Sequence, residues 1–290
     1  MTMMRYDYHR PRSLDEAYRL CEANPAASFI AGGTDVMVRI RSRTMRPPAL
    51  ISLRSISDLR GIDPDGTRIG AMTTIGELCE HPVVRETYPV LVEAGRRLGS
   101  AQIRNVATIG GNLCNASPCA DMVPALLVLE ARVRIESAEG RRELPLEQLF
   151  RGPGATCLAR GEVMTAILLD PSAAQSRAVF KKKGRVRMDL ALASVAVRLR
   201  AEEGVCRLVR VAAGSVAPTP LRLREVEALL VGRPVSQELL TSVQQLAAKS
   251  VAPITDQRAT EDYRRQIVGV FVRRAVEELW EHGVRSGRKA

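Results

Sequence analysis

Aromatic residues are scarce in this 290-residue chain: Phe, Tyr and Trp together make up 3%, with a single Trp. Single-stranded nucleic acids are held by such rings set among basic side chains. Nucleic acid is therefore not an expected partner, despite a net charge of +11. No apolar run reaches the roughly 18 residues that a membrane-spanning helix needs. The first residues show neither an apolar secretory core nor a cleavage pattern, so the expected setting is the cytoplasm. His9, His81 and His282 are scattered, and Cys21, Cys79, Cys114, Cys119, Cys157 and Cys206 form no Cys-x-x-Cys pair. Structural zinc and iron–sulfur clusters need several well-spaced ligands, so no metal is expected in this chain. Reduced thiols are expected in place of disulfides. Also missing are the Gly-x-Gly-x-x-Gly fingerprint, the phosphate-binding Gly-x-x-x-x-Gly-Lys-Ser/Thr loop and the Gly-x-Ser-x-Gly elbow. A nucleotide site, if present, must be of another kind.

What the chain does have is enough apolar material, 46%, for a substantial core in two domains or one large one. The positive charge is mostly Arg spread along the sequence, and Lys181-Lys182-Lys183 is the one compact basic run. Solvated helix faces account for such charge, and docking to an acidic protein partner is a second use for it.

Read in order, Tyr6 to Arg10 is a short strand. Ser13 and Glu16 form a capping box for a helix ending near Asn24. Ser28 to Ala31 and Ala49 to Leu53 are strands, which makes residues 1–55 a small αβ lobe. Thr67 to Met72 is a strand, and Thr74 with Glu77 is a second capping box. Pro89 to Leu98 and the wholly apolar Met122 to Leu129 are helices, Pro124 being tolerable in a first turn. Val133 to Glu136 and Gly161 to Leu168 are strands, with a short helix from Pro145 to Phe150 between them. This second lobe covers residues 56–175. Ser172 to Ser176 is a linker. Residues 176–290 then form an α+β domain. It has strands at Ala178 to Lys182, Leu190 to Leu199 and Val205 to Ala213. Helices follow at Arg222 to Val231, Gln237 to Lys249 and Thr260 to His282. The tail from Gly287 is expected to fray.

Two glycine pairs stand out. Ala31-Gly32-Gly33-Thr34-Asp35 lies between an apolar strand and an amphipathic segment. Thr108-Ile109-Gly110-Gly111-Asn112-Leu113-Cys114-Asn115-Ala116-Ser117-Pro118-Cys119-Ala120-Asp121 is small and polar between apolar runs. Adjacent glycines permit positive φ and close approach to backbone, and N–H groups at a strand-to-helix turn favour anions. Each stretch alone is also readable as a tight turn. Together they suggest two walls of a dinucleotide diphosphate site.

These paired motifs, in this order, resemble the FAD-binding medium subunit of molybdenum hydroxylases of the xanthine dehydrogenase and carbon monoxide dehydrogenase type, from about Tyr6 to about Leu279. The resemblance implies an α+β chain: a two-lobed FAD-binding domain (1–175), then a C-terminal domain with a three-stranded antiparallel sheet (176–290). It implies that Ala31, Gly32, Gly33, Thr34 and Asp35 cradle the FAD diphosphate, with Thr108, Ile109, Gly110, Gly111, Asn112 and Ser117 closing from the other lobe. Asp121 would accept a ribose hydroxyl, or else cap the helix that begins at Met122. Met164 would touch the flavin nucleotide by its main chain, or else belong to an ordinary buried strand. Lys181 would reach the FAD, while Arg185 and Asp189 would form a structural pair. FAD would be held non-covalently. Molybdopterin and [2Fe-2S] clusters would sit on partner subunits, in a dimer of heterotrimers that passes electrons through FAD to an acceptor such as NAD or a quinone. A stand-alone flavin reductase and a basic non-redox binding module are the alternatives.

Overall fold

A computed structural model describes residues 5–287. The first lobe has a parallel sheet of β1 (Asp7–His9), β2 (Ser28–Ile30) and β3 (Ala49–Ser52), with β3 in the middle. Helix α1 (Leu14–Ala23) buries Ala17, Tyr18 and Cys21 against this lobe's core. Ser13 Oγ accepts the Glu16 amide as expected, but Glu16 reaches back to the Arg12 amide at 2.7 Å, one residue upstream of a reciprocal box. Helix α2 (Val36–Arg41) leaves the first glycine loop.

The second lobe is built on an antiparallel sheet. It comprises β4 (Arg68–Gly70), β5 (Arg132–Ser137), β6 (Gly140–Pro145) and β9 (Val163–Leu168), in the order β4-β9-β5-β6. Thr74 and Glu77 form the reciprocal capping box of α3 (Ile75–Glu80). Helices α4 (Pro82–Thr87), α5 (Pro89–Arg97) and α6 (Ala101–Arg104) then lead to α7 (Ile109–Cys114) and α8 (Met122–Val128). Every residue of α8 is buried, which accounts for its lack of a polar face. A two-stranded ribbon, β7 (Phe150–Gly152) with β8 (Ala155–Thr156), follows a 3₁₀ turn at Leu146–Leu149. The expected linker is a further 3₁₀ turn, Pro171–Gln175.

The last sheet is β10 (Arg177–Lys183), β11 (Ala193–Glu202), β12 (Val205–Gly214) and β13 (Leu221–Arg222), all antiparallel. It has one short strand more than the three expected. Strand alternation gives it two buried faces. Val195, Val197, Val209 and Val211 meet α9 (Arg224–Leu230), α10 (Gln237–Lys249) and α11 (Glu261–Gly287). Phe180, Ala196 and Ala212 join the second lobe's core, where α8 packs. The C-terminal sheet is thereby fixed to the wall of the second lobe. Among the described residues no helix is long and apolar enough to cross a membrane. The fraying expected beyond Gly287 falls outside the described residues.

Candidate cofactor cleft

The two glycine stretches face each other across a cleft of about 450 Å³. The lobes touch at its base. A Cβ on Gly32 would lie 1.9 Å from the Val106 carbonyl oxygen, so only glycine lets the first loop sit against the second lobe. Gly33 has φ +78, a conformation that side chains strain. Among the described residues, the backbone N–H groups of Gly32, Gly33, Thr34 and Asp35 find no acceptor. Four unspent donors at a strand-to-helix turn form a nest of positive potential, which suits phosphate oxygens.

The second wall works differently. Thr108 caps α7, its Oγ accepting the Gly111 amide at 3.1 Å, so the expected loop begins with a short helix. The Ile109 and Gly110 amides bond to the Thr73 and Ala71 carbonyls, and the Asn112 amide to the Thr108 carbonyl. These amides are therefore not free for a ligand. A Cβ on Gly110 would stand 2.7 Å from the Ala71 Cβ, so this glycine serves packing within the lobe, while Gly111 faces Ala31 across the cleft. What this wall offers is acceptors: Asn112 Oδ1 and Asp121 Oδ1 are buried without a partner. Buried acceptors normally find donors. Ribose hydroxyls and nucleotide N–H groups are donors of the required kind, so the residues present fit FAD.

Asp121 occupies the N-cap position of α8 without capping it. Its backbone is already helical, and its side chain makes no capping bond. Its other oxygen, Oδ2, takes a 2.7 Å hydrogen bond from Lys182 Nζ, which also donates to the Arg97 carbonyl at 3.0 Å. Burial raises the Asp121 carboxyl to about 6, and the Lys182 charge opposes that rise.

Of the expected site residues, all but Ile109 and Lys181 line the cleft, Met164 among them on β9. Ile109 is a fully buried core residue. Lys181 points away: its ammonium pairs with Glu278 of α11 at 2.6 Å. Consecutive strand residues face opposite ways, so Lys182, not Lys181, turns toward the cleft wall. Arg185 and Asp189 form the expected pair at 2.7 Å. Asp189 also lines the cleft, with Met188 and Leu190, so the C-terminal domain closes one side.

Sequence reasoning missed Arg39. It projects from α2 into the cleft and donates to Asn115 Oδ1 of the opposite wall at 2.7 Å. Its place four residues after Asp35, one helical turn along, was the available signal. Among the described residues no group of His, Cys, Asp and Glu converges as a metal site, and all six cysteines are free thiols.

Known proteins resemble this chain over nearly its whole length. Residues 3–171 match the FAD binding domain in molybdopterin dehydrogenase, and residues 178–279 match the CO dehydrogenase flavoprotein C-terminal domain. The carbon monoxide dehydrogenase medium chain of Afipia carboxidovorans is 34% identical over 94% of this chain and 96% of its own. The xanthine dehydrogenase FAD-binding subunit of Escherichia coli O157:H7 is 32% identical over 93% and 94%. The fold superimposes on carbon monoxide dehydrogenase from Hydrogenophaga pseudoflava with a TM-score of 0.92 and 33% identity, covering 97% of this chain and 99% of that one. This chain belongs to the FAD-binding subunits of the molybdenum hydroxylases, the xanthine and carbon monoxide dehydrogenase family, and is an oxidoreductase component with an FAD-binding domain.

Proposed function

We propose that the chain relays electrons within a larger enzyme, receiving them from iron–sulfur clusters on a small partner subunit and delivering them to an external acceptor such as NAD or a quinone. Substrate oxidation would occur at a molybdenum centre on a large subunit, in a dimer of heterotrimers in the cytoplasm. The observation that carries the flavin part of this reading is the pairing of four unspent amides on one cleft wall with two unpartnered acceptors on the other, and family membership supports the relay. Bound FAD supplies the redox chemistry, while the protein contributes position and electrostatics. Residues 1–175 would be the FAD-binding domain and 176–290 the C-terminal domain, a division that the two family matches support.

In this assignment the first loop holds the diphosphate by backbone N–H groups, without contributing a full charge. Arg39 adds the cation. Asp121, steadied by Lys182, and Asn112 would accept hydrogen bonds from the nucleotide, and Met164, which lines the cleft, would touch it by its main chain. No side chain is required to act as nucleophile or general base. FAD would be held non-covalently by these contacts.

The test is anaerobic bleaching of the flavin band on addition of candidate substrates. The single chain should hold flavin without reducing it. Co-expression with the products of neighbouring genes should make bleaching substrate-dependent. Rapid bleaching by the single chain would reject the relay and favour a self-sufficient flavin enzyme.

A further inference from the structure

A second pocket of about 680 Å³ adjoins the cleft, the two sharing Gly99 and Met188. Four arginines line it, Arg96, Arg97, Arg104 and Arg187, and no acidic residue does. Such a concentration of like charge repels itself unless an anion enters. Arg104 is held in place, its Nη1 donating to the Leu98 and Gly99 carbonyls at 3.1 and 3.0 Å. Arg96, Arg97 and Arg187 make no side-chain hydrogen bond or salt bridge among the described residues, whereas nearby Arg185 is paired with Asp189. Glu93, the carboxylate that feels Arg97, is outside the lining and takes the Phe180 amide at 2.9 Å.

We propose that this arginine pocket binds a diphosphate, free or carried on a nucleoside, and so docks a diphosphate-bearing ligand at the mouth of the flavin cleft. Guanidinium forks match phosphate oxygens two at a time. The pocket's volume lies within the roughly 300–1,000 Å³ of small-molecule sites, and its concavity suits a compact anion better than the convex acidic surface of a protein. Met188 offers an apolar contact where pocket and cleft meet. The proposal rests on the flavin reading only for its role at the cleft, because anion binding is measurable without turnover.

The experiment is calorimetric titration of the FAD-loaded chain with inorganic pyrophosphate and with ADP, comparing wild type with the combined R96Q, R97Q and R187Q variant. Pyrophosphate should saturate one site per chain. The variant should bind it about tenfold more weakly or worse, the effect of losing one charge-assisted hydrogen bond. Competition by ADP identifies a nucleotide-borne diphosphate, and pyrophosphate binding without ADP binding identifies the free anion; either supports the site. Absence of saturable binding, or equal affinity in the variant, overturns it. A variant that binds pyrophosphate normally but no longer co-purifies with partner subunits also overturns it, in favour of an acidic protein face. Flavin content is read on the same samples: a wild-type chain without flavin contradicts the functional reading and leaves the pyrophosphate result to be judged by itself.

Discussion

Asp121 and Lys182 meet at 2.7 Å in the cleft wall, with side chains only 7% and 5% exposed. Lys182 belongs to the C-terminal sheet and Asp121 to the FAD-binding lobe, so one ion pair ties the two together at the cofactor site. The ammonium occupies one carboxylate oxygen and leaves the other, Oδ1, buried without a partner.

That arrangement gives FAD affinity a pH dependence. With the Asp121 carboxyl raised to about 6, acidification protonates it and removes a charge-assisted acceptor. Affinity of the flavin-free chain should fall as pH drops through this value, and Lys182→Met should move the fall to higher pH, since the ammonium is what lowers the carboxyl. Stability has the opposite sign. Between the ordinary 3.8 and about 6 the folded state keeps a proton that the unfolded chain releases, so this group's contribution is largest in acid and is lost as pH rises through about 6. Fluorescence titration of FAD across the range checks the first statement; a flat profile in both proteins would contradict it.

Arg39 should be worth about 1.5–3 kcal/mol of FAD affinity, as a hydrogen bond to a charged group. Arg39→Gln is expected to weaken binding without lowering the melting temperature, because the residue is exposed and, among the described residues, its side chain's one hydrogen-bond partner, Asn115, lies across the cleft. Unchanged affinity would remove Arg39 from the site.

Gly110 should matter for folding. Its added Cβ would meet Ala71 Cβ at 2.7 Å and the Ala71 carbonyl oxygen at 2.8 Å. Overpacking of this kind costs about 1–3 kcal/mol, so Gly110→Ala should lower the urea midpoint of the flavin-free chain. A midpoint equal to wild type would show that the second wall gives way easily.

Much of this architecture was legible in the sequence, and its failures have physical causes. Thr74 and Glu77 announced α3, and the unbroken apolar run announced the buried α8. The same run could not show that Asp121 is turned to Lys182 instead of capping the helix, because that depends on a strand distant in sequence. Lys181 and Lys182 are chemically equivalent, and only strand register distinguishes cleft wall from helix contact. Helix α7 was hidden because two glycines among its six residues give it poor propensity, which tertiary contacts override. Strand β6 was missed because nearly all of it is exposed and it carries no apolar alternation.

Glu227 should be the most sensitive carboxylate of the C-terminal domain. It holds Arg222 at 2.6 and 2.7 Å and also accepts the Val211 amide, with both side chains nearly buried. Removing one member of a buried pair costs about 3–5 kcal/mol. Glu227→Ala should therefore lower stability by that order in denaturant unfolding, and a change under 1 kcal/mol, about the size of a surface pair, would contradict the assignment.

The central claim is that FAD lies between the two glycine loops, and flavin content per chain tests it most directly. Ala31→Trp places an indole between the loops, with circular dichroism confirming the fold. Wild-type protein should release one FAD per chain on denaturation, and Ala31→Trp should release almost none. Stoichiometric FAD in the folded Ala31→Trp protein, or its absence from wild type, would contradict the account.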